Sequence, residues 1–274
     1  MSEAVPAVEP EVLVQRHGSI ALIMFNRPED RNPISLTLGS NLLSALDEVD
    51  RDESVTAVVL SGVGRVFCAG GKLGEVLGTS SASARDRYRA FNDIVKATSR
   101  LRSMELPVIC ALNGPAVGGG AALALACDLV IAAEEASFVF AFGRVGASAA
   151  DMGCAYLLPR IVGAARARHL LLTGAEVNAA RGKEIGLVLE VVPRTALIEA
   201  AFELARTVAA SAPRQALGAT KAVLMRGETT DFETCLFYEL YLQSYFLNSD
   251  EHKLRVAEFL QAKRRDRPAG LDRP

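Results

Sequence analysis

The amino-acid sequence predicts an α/β fold that is followed by a purely helical region. In the first part of the chain, short apolar runs typical of buried strands alternate with segments of helical periodicity. Beyond about residue 206, helical patterns follow one another with no strand between them. We therefore expect an α/β core over residues 1–205 and a C-terminal helical region over residues 206–274.

Each element of the predicted core rests on a local pattern. Four runs have the composition of strands: residues 12–16, 20–25, 55–60 and 107–112. Residues 36–49 place Leu38, Leu42 and Leu46 on one face at helical spacing, which predicts an amphipathic helix between the second and third strands. This order of elements is typical of strands that pack beneath helices.

The predicted C-terminal region is rich in aromatic residues. Its helical segments lie at residues 213–225, 231–247 and 250–264. Its aromatic residues include Phe232, Phe237, Tyr238, Tyr241, Tyr245, Phe246 and Phe259. A helical region this apolar, with little core of its own, is expected to pack on the main body or on another subunit.

Composition and charge exclude several classes of protein. The net charge of −2, with acidic and basic residues interspersed, gives no footprint for nucleic-acid binding. The five cysteines form no C-x-x-C pair and the three histidines lie far apart, so we expect reduced thiols and no metal site. The apolar stretches are too short to span a bilayer, and the acidic start of the chain does not resemble a leader peptide. We expect a soluble, cytoplasmic protein that binds neither membrane nor nucleic acid.

Two glycine-rich loops are the main indication of chemical function in the sequence. Gly118, Gly119 and Gly120 stand between the turn at residues 113–115 and an apolar helical run, and a second loop at residues 64–71 follows a predicted strand and ends in Gly70 and Gly71. Glycines allow a ligand to approach the main chain, and a helix start offers unpaired N–H groups. If the amides of Gly71 and Gly119 converge, they face one oxygen and stabilise an enolate. The alternative is that these glycines serve only tight packing.

The chain resembles the crotonase (enoyl-CoA hydratase/isomerase) superfamily. The segments that carry the resemblance are residues 26–28, 64–71, 113–128, 157–163, 172–174 and 180–193. The resemblance implies a spiral of ββα units, a C-terminal helical trimerisation region, and acyl-CoA thioesters as ligands. It also implies a homotrimer or a dimer of trimers, and no cofactor other than the coenzyme A carried by the substrate.

The same resemblance implies roles for individual residues. Gly71 and Gly119 supply the amides of an oxyanion hole, while residues 71–74 and 31–34 form the two lips of the coenzyme A groove. The candidate substrate-binding residues are Arg31, Ile34, Ala69, Lys72, Leu73, Gly74, Phe142 and Arg144. Other readings stay open for some of them. Lys72 is equally typical of a solvated surface lysine, Arg144 of a structural ion-pair partner, and Phe142 of an ordinary core residue on a strand spanning residues 138–142.

The departures from the family pattern decide the expected reaction. The two glutamates that hydratases of this family use are replaced by Ala122 and Phe142, and the aspartate after the first loop is replaced by Lys72. Asp151 stands where some relatives carry an aspartate that acts as a base or a nucleophile; its alternative role is the N-cap of the following helix.

One carboxylate suits moving a proton along an acyl chain, so we expect an isomerase-type enzyme with Asp151 as its single acid/base. The alternatives are a non-catalytic acyl-CoA-binding homologue, motivated by the missing glutamates, and a decarboxylase or C–C lyase in which Arg144 holds a substrate carboxylate.

Overall fold

The computed structural model of the protein describes residues 9–76, 82–148 and 150–265. The chain divides into two compact units, Met1–Ser211 and Ala212–Pro274. The outer ends of the two predicted regions, residues 1–8 and 266–274, lie outside the described residues.

The described strands of the first unit form two sheets. The strands in chain order are β1 (Val12–His17), β2 (Ile20–Phe25), β3 (Ala57–Gly62), β4 (Val108–Leu112), β5 (Ala116–Val117), β6 (Leu129–Ala133), β7 (Ser137–Val139), β8 (Glu176–Asn178) and β9 (Glu190–Val192). The larger sheet has the order β1-β2-β3-β4-β6-β9 and the smaller one the order β5-β7-β8. In the larger sheet only β1 and β2 are antiparallel. Parallel strands buried by helices explain the continuous apolar runs in the sequence.

Among its described residues, the first unit has seven α-helices. They are α1 (Leu38–Arg51), α2 (Ala84–Ser103), α3 (Gly119–Ala126), α4 (Cys154–Val162), α5 (Ala164–Thr173), α6 (Ala179–Glu184) and α7 (Leu197–Ser211). Leu42, Leu46 and Val49 of α1 are fully buried, as the helical spacing of residues 36–49 predicts. Helix α7 packs on β3 and β4, which is why it belongs to the first unit.

The predicted strand at residues 138–142 is only partly present. Strand β7 ends at Val139, and a 3-10 helix runs over Ala141–Val145. The expectation of a strand that reaches Phe142 is therefore wrong. Phe138 and Phe140 are fully buried with stacked rings 6.5 Å apart, while Phe142 lies on the 3-10 helix.

The second unit contains helices α8 (Arg214–Gly227), α9 (Phe232–Leu247) and α10 (Asp250–Arg265). Helix α9 starts after Asp231, whose side chain accepts a hydrogen bond from the Thr234 amide at 2.8 Å. Its large apolar side chains are exposed in the single chain, with Tyr241 at 81% and Phe232 at 74%. Among the described residues, every helix is too short or too polar to cross a bilayer.

Candidate active site

Main-chain hydrogen bonds hold the two glycine loops side by side. The Val117 amide donates to the Cys68 carbonyl at 2.9 Å, which joins the loop after β3 to the segment before α3. On the other side of the first loop, the Ile34 amide donates to the Gly70 carbonyl at 2.7 Å, and the Lys72 amide donates to the Ile34 carbonyl at 2.9 Å. The first loop is therefore fixed between the segments around residues 34 and 117.

Close approach of the main chains explains the glycines. A Cβ atom on Gly120 would overlap the Cys68 carbonyl oxygen. Gly70 has a φ of +82°, and a Cβ atom there would lie 2.7 Å from the Val117 oxygen and 3.7 Å from the Gly119 nitrogen. The two loops thus touch through their backbones beside the Gly119 amide.

The amides of Gly71 and Gly119 have no acceptor among the described residues. Ile34 pairs with Gly71 as in a parallel sheet, through hydrogen bonds to the Gly70 carbonyl and from the Lys72 amide. The Gly71 N–H takes no part in this pairing. Gly119 is the first residue of α3, and the first amides of a helix have no partner within it. Both glycines line the same cavity. Two free donors, one of them at a helix start, favour an oxygen that carries negative charge.

The cavity has a volume of about 280 Å³ and mostly apolar walls. Of the candidate residues, those in its wall are Ile34, Ala69, Gly71, Leu73, Gly119, Phe142, Arg144 and Asp151. Arg31, Lys72 and Gly74 are not part of this wall. The volume suits an acyl group of moderate size rather than a whole coenzyme A molecule.

Sequence reasoning missed one side of the cavity. Ala90, Phe91 and Ile94 of α2 contribute to the wall, together with Val76 and Met152. The spacing of Ala90, Ile94 and Ala97 shows an apolar face on α2, but the sequence does not show what that face covers. Helix periodicity shows which residues share one face of a helix, but it does not show what that face packs against.

Asp151 is the one carboxylate among the described residues that line the cavity. It is not the N-cap of α4, so that alternative is wrong: the capping position belongs to Gly153, with a φ of +86°, and no side chain caps the helix. One oxygen of Asp151 accepts the Met152 amide at 2.7 Å, and the other accepts nothing from the described residues. That oxygen is available to a ligand.

Met152 connects the Asp151 segment to the glycine loops. Its backbone has a φ of 48°, an uncommon conformation for a residue with a side chain. Its sulfur lies 3.0 Å from the position that a Cβ atom on Gly119 would occupy. Asp151 is therefore the sequence neighbour of a residue whose side chain packs on Gly119.

Two basic candidates, Arg144 and Lys72, have structural partners for their charged groups, and Arg31 is held through its main chain. Arg144 donates from Nη2 to the Gly174 carbonyl at 2.7 Å; the expected ion pair is replaced by a bond to the main chain. Lys72 pairs with Glu75 at 2.8 Å and with Asp30 at 3.4 Å, and the hydrogen bond to Glu75 is the main reason that its pKa is raised. Arg31 has a φ of 65° and accepts the Ala69 amide at 3.1 Å through its carbonyl.

The positions of the missing glutamates are apolar in the structure as well. Ala122 is fully buried on α3, and Phe142 is nearly buried in the cavity wall. Cys68 and Cys154 are also fully buried, and burial is the main reason that the pKa of each thiol is raised to about 12. Such thiols are small core side chains rather than nucleophiles.

An α/β core with two touching glycine loops, a buried helix start and a helical C-terminal region defines a protein of the crotonase type. The family model described as enoyl-CoA hydratase/isomerase matches residues 15–266. The chain belongs to the enoyl-CoA hydratase/isomerase family, and the resemblance stated from its motifs is confirmed.

Named relatives align with nearly the whole chain. The 1,2-epoxyphenylacetyl-CoA isomerase of Escherichia coli is 36% identical over 92% of this chain and 96% of its own length. The 4-chlorobenzoyl coenzyme A dehalogenase-2 of an Arthrobacter species is 32% identical over 95% of this chain and 94% of its own. The crystal structure of an enoyl-CoA hydratase from Bacillus anthracis superimposes with a TM-score of 0.84 at 32% identity, covering 94% of this chain and 97% of that one. The chain is an enzyme of this family with a crotonase-like fold, which sets aside the non-catalytic alternative.

Proposed function

We propose that the protein isomerises the double bond of unsaturated acyl-CoA thioesters, with Asp151 as the single acid/base. The observation that carries this proposal is the arrangement of one cavity: two amides without acceptors, at Gly71 and Gly119, and one carboxylate, at Asp151, in an apolar wall. The thioester carbonyl binds between the two amides, and the acyl chain lies against Phe142.

The proposed reaction moves one proton. Asp151 takes a proton from Cα of a 3-enoyl thioester, and the electron pair moves onto the carbonyl oxygen to give a dienolate. The amides of Gly71 and Gly119 stabilise that negative charge, and losing one such donor costs about 2.7–4 kcal/mol in comparable sites. The carboxylic acid then returns the proton to Cγ, which leaves a 2-enoyl thioester and the starting carboxylate.

Hydration fits the same cavity less well. Adding water requires a group that activates the water in addition to one that delivers a proton to carbon. Among the described residues, Asp151 has the only carboxylate in the cavity wall. Ala122 and Phe142, which stand at the positions of the missing glutamates, are apolar. A single proton transfer along the chain needs only the one carboxylate.

The acyl group and the coenzyme A contacts are part of this proposal. Phe91 and Phe142 place two aromatic rings in the cavity wall, and the two relatives named above act, by their names, on phenylacetyl and chlorobenzoyl thioesters. We expect apolar acyl groups, including aryl ones. Arg31, Lys72 and Gly74 lie next to wall residues and contact coenzyme A outside the cavity in this proposal, and the reaction needs no separate cofactor.

The assembly and location are also proposals. The exposed aromatic side chains of α9 support a homotrimer or a dimer of trimers, built through the second unit. Four buried free cysteines support a reducing, cytoplasmic location.

The kinetic test is Asp151→Asn on a panel of 2-enoyl, 3-enoyl and aryl-acetyl CoA thioesters. Because the amide cannot take a proton, we expect 3-enoyl turnover to fall by about 10²-fold to 10⁴-fold. Asp250→Asn is the matched control, since the Asp250 side chain is 98% exposed; it should keep the wild-type rate. Equal turnover by Asp151→Asn and the control would remove Asp151 from the mechanism.

A decarboxylase or C–C lyase is the second candidate, and one observation favours it. Arg144 is exposed in the cavity wall and uses one of its five N–H donors on the Gly174 carbonyl. A malonyl-type thioester in the same panel decides between the two. Turnover of that thioester alone, with none of the enoyl substrates, would establish the lyase.

A further inference from the structure

Behind the cavity lies a buried carboxylate that the proposed reaction does not use. Glu11, just before β1, is 9% exposed. Its Oε1 accepts the Ser35 hydroxyl at 2.6 Å, and its Oε2 accepts the Thr37 hydroxyl at 2.9 Å and the Asn41 amide at 3.0 Å. All three donors are neutral. A buried carboxylate held by hydrogen bonds alone is costly to remove, because its donors would then have no acceptor.

Ser35 is part of the cavity wall, but its hydroxyl is fully occupied. It donates to Glu11 and accepts the amides of Thr37 at 3.1 Å and Leu38 at 3.0 Å. A hydroxyl has one donor and two acceptor sites, so these three bonds leave none for a substrate. Ser35 therefore holds the chain in place and takes no part in chemistry.

The residue before Ser35 connects this network to the glycine loops. Ile34 binds the Gly70 carbonyl through its amide and the Lys72 amide through its carbonyl. These two bonds flank Gly71 and fix the plane of the peptide that carries its N–H. The Ile34 side chain also lies 2.5 Å from the position of a Cβ atom on Gly119, so it contacts the second loop as well.

We infer that Glu11 is a positioning residue for the oxyanion site, acting through Ser35 and Ile34 on the direction of the Gly71 N–H. This inference rests on the proposed function. Glu11 touches no substrate. It anchors residues 34–35, and a shift of that segment would carry Gly70 and Lys72 with it.

Glu11→Gln keeps the shape of the side chain and changes its hydrogen bonding. One carboxylate oxygen becomes an NH₂ group and the negative charge is lost, so the hydrogen bonds from Ser35, Thr37 and Asn41 weaken. Residues 34–35 are then held less firmly and shift. Small displacements of a catalytic donor reduce rate more than binding, so we expect kcat to fall by about 10-fold to 100-fold with KM within about 2-fold of wild type.

The decisive measurement is spectroscopic. An aryl-acyl-CoA with a conjugated chromophore absorbs at longer wavelength when donors polarise its thioester carbonyl. We expect a red shift on binding to the wild type and a smaller shift with Glu11→Gln and with Ser35→Ala. Glu9→Gln is the matched control: Glu9 lies on the same segment and accepts only from Asn26 through its side chain, at 3.2 Å. It should keep the full shift.

The outcomes separate the two proposals. A wild-type protein that shows neither turnover nor a red shift has no polarising site, and both proposals are then wrong. A wild-type shift that Glu11→Gln retains in full, at the level of Glu9→Gln, overturns only the role of Glu11. If Glu11→Gln fails to fold by circular dichroism, Ser35→Ala carries the same test, and a full red shift in that variant overturns the inference.

Discussion

At the scale of single residues, the consecutive glycines of α3 have different reasons to lack a side chain. A Cβ atom on Gly120 would overlap a main-chain carbonyl, that of Cys68, which two hydrogen-bonded loops hold in place. A Cβ atom on Gly119 would instead meet the ends of two side chains, Ile34 at 2.5 Å and Met152 at 3.0 Å. Side-chain ends can move where a bonded carbonyl cannot. The fold therefore excludes a side chain at Gly120, whereas at Gly119 a side chain would change the shape of the site.

This difference gives a prediction for two neighbouring substitutions. Gly120→Ala should lower the free energy of unfolding by about 2–4 kcal/mol, because the clash forces the two loops apart. Gly119→Ala should cost less than about 1.5 kcal/mol, since Ile34 and Met152 can repack. It should nevertheless lower kcat/KM by about 100-fold, because those side chains frame the amide that binds the oxyanion.

Urea unfolding and steady-state kinetics on the same samples check both values. Gly143→Ala is the matched control, since a Cβ atom there has open space and Gly143 lies on the 3-10 helix beside the cavity. It should match the wild type in both assays. Equal loss of stability in Gly119→Ala and Gly120→Ala would contradict the distinction.

At the scale of elements, α2 matters because it forms one wall of the cavity that the glycine loops also line. Its buried face contacts α1, and Arg100 links the two helices through ion pairs. Arg100 donates from Nε to Asp47 at 3.0 Å and from Nη2 to Asp50, with 27% of its side chain exposed. This double ion pair is partly shielded from solvent, so it contributes more than a fully exposed pair.

Arg100→Met tests that link. The substitution keeps an apolar stem but leaves Asp47 and Asp50 without their common cation, and we expect a loss of about 1–2 kcal/mol in the free energy of unfolding. Lys96→Met on the exposed face of the same helix should stay within about 0.5 kcal/mol. Denaturant unfolding measures both variants, and a loss in Arg100→Met no larger than in Lys96→Met would refute the contribution.

The elements also show what sequence can and cannot predict. Periodicity and strand composition predict the α/β core because each pattern is local. The two glycine loops each follow a strand, but the sequence leaves their meeting conditional, because it does not show that β3 and β4 are neighbours in the sheet. The end of β7 at Val139 is not local: Phe140 is buried beside Phe138 while Phe142 turns into the cavity wall. The α2 wall and the Glu11 network likewise depend on contacts between distant segments, which no pattern within one segment encodes.

At the scale of the whole molecule, the second unit is short of a core. Its helices α8, α9 and α10 leave large side chains exposed in the single chain: Leu224, Phe232, Phe237, Tyr241, Tyr245, Leu254 and Phe259. Apolar surface of this extent is uncommon on a monomer and marks an interaction site. A closed ring of identical chains can cover such a face on every copy, because each copy presents the same surface.

Light scattering at micromolar concentration tests the proposed assembly. We expect the mass of a trimer, or of two trimers, and a dimer or smaller species with Tyr241→Asp. That substitution places a charge on a side chain that is 81% exposed in the single chain and buried in the proposed assembly, where an unpaired carboxylate is costly. Leu172→Asp is the matched control, because Leu172 on α5 is 79% exposed and belongs to the first unit. A monomeric wild type would refute the assembly, and a trimer that survives Tyr241→Asp but dissociates with Leu172→Asp would move the interface from the second unit to the first.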